Sequence, residues 1–139
     1  MRYTFTSSPK FANRDAHKDL VKVLDEFDRE LPPIVVHCFT GTKNEAMSYI
    51  ERGYYIGFTG TICKKERGAP LRELLPSIPL EKIMVETDAP YMGFQKKRKS
   101  SEPADCVEVA RKLAETINVS FSTVCDVTTS NALKFFRIE

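Results

Sequence analysis

Apolar residues recur at Leu20, Leu24, Phe27 and Leu31, with Val21 widening the stripe, which is the spacing of one face of a helix. Asn13 or Asp15 stands where a helix cap is expected, and Pro32-Pro33 ends the run. The pattern then changes. Ile34-Val35-Val36, Tyr54-Tyr55-Ile56-Gly57-Phe58 and Ile83-Met84-Val85 are short apolar runs rich in β-branched or aromatic residues, as buried strands are. Between the first two, the segment from Thr42 to Arg52 predicts a helix, with Gly53 as its left-handed C-terminal residue. A loop containing Gly60, Gly68 and Pro70 leads to a short predicted helix from Leu71 to Leu75. A long polar loop from Ala89 to Ser101 precedes a helix from Pro103 to Ile117. Proline in its first turn sacrifices no intrahelical bond, and Val107, Ala110, Leu113, Ala114 and Ile117 form its apolar face. Two short helices are predicted at the end, entered at Ser120 and near Thr128-Thr129. Residues 1–12 show no periodicity and predict an irregular or extended arm.

Apolar strands alternating with helices predict an α/β fold, with three parallel strands covered by helices. In such sheets functional groups gather just beyond the carboxyl ends of the strands. Those positions hold His37-Cys38, Thr59-Gly60 and Glu86-Thr87-Asp88.

Composition narrows the field modestly. The 139 residues suffice for one core, and 42% hydrophobic with 29% charged residues is ordinary for a globular domain. No apolar run is long enough for a membrane span, and the first residues carry no continuous apolar segment of the kind a signal peptide needs. The formal charge of +2, from 21 basic and 19 acidic residues, does not by itself argue for a nucleic-acid partner. Cys38, Cys63, Cys106 and Cys125 are irregularly spaced, without a CxxC pair or a zinc framework, and free thiols in a cytoplasmic or nuclear protein are expected.

A histidine and an aspartate at the ends of parallel strands suit a divalent ion, since imidazole and carboxylate both ligate zinc, manganese or magnesium. Each residue also has a structural reading. A single histidine after a strand is often a satisfied structural residue, and an aspartate before Ala-Pro is often a turn residue. The residue types alone leave a hydrolytic or metal site and a purely structural role both open.

The wording and order of the motifs carry more. Val36-His37-Cys38-Phe39-Thr40-Gly41, then Tyr55-Ile56-Gly57-Phe58-Thr59-Gly60, then Val85-Glu86-Thr87-Asp88-Ala89-Pro90-Tyr91 resemble the last three strands of the TatD-type metal-dependent deoxyribonucleases. Arg14-Asp15-Ala16-His17, Glu102-Pro103-Ala104 and Thr128-Thr129-Ser130-Asn131-Ala132 resemble further family segments in the same order. The resemblance implies the C-terminal part of a TIM-type (β/α)8 barrel of the metal-dependent hydrolase superfamily, about twice this length. Residues 1–12 would be an unmatched arm and residues 13–139 a truncated barrel domain. It implies phosphodiester hydrolysis of DNA with magnesium, manganese or zinc polarising a phosphoryl oxygen and activating water. His37 and Asp88 are the implied metal ligands, and Asp88 also the catalytic carboxylate that positions or deprotonates water. Glu86 is expected to support the site without ligating, on the reasoning that alternate strand positions face opposite sides. Glu102 is a second supporting residue.

The chain also departs from the family pattern. The family's His-x-His pair and strand-four glutamate are not found in it, and Ala12 stands where another ligand histidine is expected. Ser100 and Ser101 replace the Arg-Asn of an Arg-Asn-Glu-Pro motif. His17, a helical turn further on, is read as a surface or helix-packing residue. Two implied ligands fall short of the three of a catalytic zinc site, so metal binding is expected to be weak or absent and hydrolysis impaired or lost. Lys96, Lys97, Arg98 and Lys99 are candidate phosphate contacts, and also read as a solvated loop or a short nuclear-localisation signal. Three strands cannot close a barrel, so the chain is expected to self-associate through exposed sheet edges, or to form an open layer with residues 1–12 over one edge. The competing function is a non-catalytic remnant that binds nucleic acid or a protein partner. A third is a related hydrolase acting on D-aminoacylated transfer RNA.

Overall fold

The computed structural model describes residues 4–6, 14–27, 31–95 and 99–138. Its elements run in the order β1 (Thr4–Thr6), α1 (Arg14–Glu26), β2 (Val35–His37), α2 (Lys43–Glu51), β3 (Tyr55–Phe58), α3 (Ala69–Leu74), β4 (Ile83–Val85), α4 (Cys106–Ile117) and α5 (Phe121–Phe136). The four strands form one sheet in sequential order, and every pairing is parallel. Val36, Ile56 and Ile83 stand side by side across β2, β3 and β4.

The three apolar runs became strands as expected, within one residue of their predicted limits. The expectation of three strands needs one addition. Thr4–Thr6, within the arm, pairs with Val35, Val36 and His37, so this piece of the arm covers the β2 edge of the sheet. The sheet is open among the described residues, with β1 and β4 outermost.

Both faces of the sheet are packed, which explains why the strands are apolar without alternation. On one face Val36, Ile56, Phe58 and Ile83 join Leu24, Ala46, Tyr49, Leu71, Val109, Leu113 and Val124 from all five helices in the main core. On the other, Val35 and Met84 pack with Phe135, flanked by Tyr55 and Ala132. The Tyr55 and Phe135 rings meet edge to face, with centroids 5.7 Å apart.

Several boundaries differ from expectation. Helix α1 ends at Glu26 and Phe27, in the following turn, is 50% exposed, so the apolar stripe stops at Leu24. Of the two proposed caps, Asn13 lies outside the described residues and Asp15 falls inside the helix. Helix α2 begins at the capping box of Thr42 and Glu45, and Gly53 takes φ +82 after it. The helix predicted from Leu71 to Leu75 starts two residues earlier, at Ala69, with Pro70 in its first turn. Pro103–Asp105 form a 3-10 turn that leads into α4.

The two predicted terminal helices are one continuous helix, α5, capped by Ser120, whose hydroxyl accepts from the Thr123 amide. Thr128-Thr129 does not interrupt it, because the Thr128 hydroxyl donates to the Val124 carbonyl inside the same helix, 2.8 Å away. No described helix is long and apolar enough to cross a membrane. All four cysteines are free thiols.

Asn131 fastens α5 to the sheet. Its side chain is buried and its amide donates to the carbonyls of Leu80 at 2.9 Å and Ile83 at 2.8 Å, at the entry to β4. Replacing it leaves two carbonyls without their donor, at about 1–3 kcal/mol for each buried group. Asn131→Ala is therefore expected to lower stability by about 2–6 kcal/mol, read as a lower urea midpoint at unchanged slope. An unchanged midpoint would show that the amide does not anchor β4.

Candidate active site

The carboxyl ends of β2 and β4 converge across β3. Two ladder bonds beyond the strands fix their relative height: the Phe39 amide donates to the Gly57 carbonyl at 2.9 Å, and the Glu86 amide to the Phe58 carbonyl at 3.1 Å. This brings His37 between two carboxylates. Its Nδ1 lies 2.7 Å from Glu86 Oε2 and its Nε2 lies 2.6 Å from Asp88 Oδ1. The three side chains are about four-fifths buried, at 20%, 20% and 17% exposure for His37, Glu86 and Asp88.

Glu86 sits in a cradle made by the backbone. Its Oε1 accepts the Cys38 amide at 2.6 Å. Cys38 reaches that geometry in the left-handed region, φ 51, which is uncommon for a residue other than glycine. Gly57 supplies the floor: a Cβ there would fall 2.3 Å from Glu86 Oε1. The missing side chain is what lets the carboxyl lie across β3.

The parity argument used to set Glu86 apart from the ligands does not hold in this geometry. Residues two apart share a face, and both carboxylates reach the same imidazole. Gly57 was the signal in the sequence, since a glycine within a strand marks a close approach.

The flanking carboxylates keep the imidazole protonated. The Glu86 hydrogen bond is the largest influence, and with the Glu86 and Asp88 charges it outweighs burial, raising the His37 pKa from 6.5 to about 9. Burial pushes the Cys38 thiol up to about 11, so it stays a thiol near neutral pH; its Sγ sits 3.5 Å from Thr59 Oγ1. Thr59, flagged at the end of β3, also caps a 3-10 turn by accepting from the Thr61 amide.

The remaining sequence candidates fall elsewhere. Glu102 is exposed and begins the turn before α4, where its amide donates to Asp105 Oδ2 at 2.9 Å. Ser101 is buried and donates its hydroxyl to the same oxygen at 3.1 Å. Asp105, which sequence reasoning passed over, is thus the buried acceptor that ties the long loop to α4. Lys99 is exposed, whereas Lys96, Lys97 and Arg98 lie outside the described residues. His17 packs its ring edge-on to Tyr49, with centroids 4.7 Å apart, as a helix-packing residue does.

For a divalent ion, the donor chemistry suits one part of a site. His37 Nε2 and an Asp88 oxygen face each other, and Glu86 holds the other ring nitrogen, as carboxylates behind metal-bound histidines do. Two donors are not a metal centre, however, and no group of three His, Cys, Asp or Glu able to hold an ion occurs among the described residues. Nε2 and Oδ1, in hydrogen-bond contact, must also separate and His37 must lose its proton before an ion can enter.

A parallel α/β layer with its ionisable residues clustered at the carboxyl ends of its strands is consistent with part of a barrel. The TatD related DNase family model matches residues 13–137, and the chain belongs to that family. It is 41% identical to the 3'-5' ssDNA/RNA exonuclease TatD of Citrobacter rodentium over 130 residues, which is 90% of this chain and 49% of that protein. It is 37% identical to the 3'-5' ssDNA/RNA exonuclease TatD of Escherichia coli K12 over 130 residues, 90% of this chain and 50% of that protein. The chain thus spans about half the length of these curated relatives. In structure it resembles a TatD homologue from Escherichia coli, with TM-score 0.82 and 25% identity over 98% of this chain and 50% of that one. A TatD family hydrolase from Entamoeba histolytica shares the fold, with TM-score 0.80 and 21% identity over 97% of this chain and 50% of that one.

The pair of carboxylates around His37 has a measurable consequence. The folded value of about 9 lies above the ordinary 6.5, so the protonated ring favours the folded state. That contribution is full below about pH 6.5 and is lost as pH rises through about 9. In the metal-free protein, His37 is expected to titrate near 9 by NMR, where only two histidines need be resolved. Glu86→Gln should lower this value more than Asp88→Asn, and Gly57→Ala should lower it by displacing the Glu86 carboxyl. A titration near 6.5 in all four proteins would contradict the geometry.

Proposed function

We propose that this chain carries the His37–Asp88 part of the site of a metal-dependent DNA hydrolase, and that the isolated chain hydrolyses DNA slowly or not at all. The observation that carries the reading is the meeting of His37 Nε2 and Asp88 Oδ1 at 2.6 Å, on the carboxyl ends of two strands inside the family-matched segment. In it, His37 and Asp88 are ligands, and Asp88 also orients or deprotonates the attacking water. Glu86 is the positioning carboxylate that fixes the imidazole, and Glu102 supports the loop at the entry to α4. Magnesium, manganese or zinc would supply charge for the phosphoryl oxygen and an acidified water.

What this chain's own residues do is narrower. Glu86 holds Nδ1, leaving Nε2 aimed at Asp88, and the burial of all three strengthens their mutual attraction. Lys96, Lys97, Arg98 and Lys99 are proposed to meet backbone phosphates. Single-stranded DNA is the proposed substrate, following what the printed names of the relatives say of those proteins. A second copy pairing along an open sheet edge is a proposed route by which more donors could reach the site. Non-catalytic binding of nucleic acid is the second reading, favoured by the absence of a third donor among the described residues.

The test is hydrolysis of end-labelled single-stranded DNA by the purified chain with manganese, magnesium or EDTA, beside Asp88→Ala. Cleavage no faster than that of Asp88→Ala, whichever ion is added, is expected. Rapid cleavage that requires metal and disappears in Asp88→Ala would overturn the proposed impairment and show that the chain assembles a working site.

A further inference from the structure

The loop that follows Asp88 leaves one aromatic ring in water. Tyr91 is 75% exposed, more than any other large apolar side chain among the described residues. A single exposed apolar residue is ordinary on a protein surface. This one differs in how firmly its backbone is held and in where it stands.

The loop is tied down at several points around it. The Tyr91 amide donates to the carbonyl of Asp88 at 2.7 Å, so the ring belongs to a turn that starts at the site carboxylate itself. The Ser101 amide donates to the Pro90 carbonyl at 3.0 Å and closes the base of the loop. The two limbs touch at Gly93, where a Cβ would fall 2.2 Å from the Lys99 carbonyl oxygen. Phe94 lies over Gly60, where a Cβ would meet its ring at 1.9 Å, and Gln95 donates to buried Asp105 at 2.8 Å. A ring on so constrained a backbone loses little freedom when a ligand covers it.

We propose that Tyr91 is a stacking platform for a base of single-stranded nucleic acid whose backbone approaches the His37–Asp88 end of the sheet. The proposal rests on the hydrolase reading above and adds how the strand is gripped. Around the ring the surface is mixed: Met92 and Gly93 are half-buried, while Lys99 and Ser100 are exposed. That is no continuous apolar patch of the kind a protein partner covers. An exposed aromatic face on a loop that also carries exposed Lys99 offers both elements that hold single strands, a ring for a base and a cation for a phosphate. Unpaired bases have free faces for this, whereas paired and stacked bases do not.

The test is fluorescence anisotropy of a short labelled oligothymidylate with the full chain in EDTA, so that binding is read without turnover. Wild type, Tyr91→Phe and Tyr91→Ala are compared, with an abasic oligonucleotide and a duplex as further probes. Base–aromatic stacking corresponds to about 5- to 150-fold in affinity per base. Tyr91→Ala is expected to raise Kd by at least about 5-fold for the oligothymidylate, with Tyr91→Phe close to wild type. The abasic strand should not distinguish wild type from Tyr91→Ala, and the duplex should bind more weakly than the single strand. Because the ring is mostly in water, Tyr91→Ala should melt with wild type, which separates lost stacking from lost folding. Wild-type binding that Tyr91→Ala leaves unchanged would overturn this proposal alone. A wild-type chain that binds no oligonucleotide would also overturn this proposal, while the hydrolase reading stands or falls separately on the cleavage assay above.

Discussion

The Glu86 carboxyl is the constraint on which the site depends. One oxygen takes the Cys38 amide and the other the His37 ring, so a single side chain from the end of β4 reaches over β3 and fixes the end of β2. The reach rests on three local features: a left-handed Cys38, a glycine at 57, and β4 continuing its ladder to the Glu86 amide. Each would be unfavourable or purposeless alone. Together they orient an imidazole, and a histidine with a fixed ring is what ligand chemistry and proton chemistry both need.

The rest of the fold keeps β4 and β2 at the right height for this contact. Asn131 holds the start of β4 from α5, while Phe135 of the same helix covers the sheet face formed by Val35 and Met84. At the other end of β4, Asp105 gathers Gln95, Ser101 and the Glu102 amide, so the loop leaving Asp88 returns to α4 under restraint. The same chain segment therefore carries the site carboxylates and is anchored on both sides of them.

Much of this was legible from residue pattern. Apolar runs without alternation marked the strands, because a parallel sheet packed on both faces gives neither face to water. The strand ends pointed to His37 and Asp88 before any contact was known. The sequence was less readable where side chains compete with backbone rules. Thr128-Thr129 looked like a helix start, yet a threonine hydroxyl satisfied by the carbonyl of Val124 sits within a helix. Thr4–Thr6 is too short to show a period, and it becomes a strand only through its pairing with β2. Parity could not separate Glu86 from Asp88 two residues on, whereas Gly57 signalled that something bulky crosses β3. The Asp105 carboxylate unites Gln95, Ser101 and the Glu102 amide, a convergence that spacing does not reveal.

In the proposed function His37 and Asp88 are two ligands of a metal site, with Glu86 holding the ring. The most direct measurement is the anomalous difference density of crystals of this chain soaked in millimolar zinc. The expected peak lies about 2.0–2.2 Å from both His37 Nε2 and an Asp88 oxygen, with Glu86 still on Nδ1. A zinc peak elsewhere, with Nε2 and Oδ1 still 2.6 Å apart, would contradict it and leave the three residues as a structural ion pair.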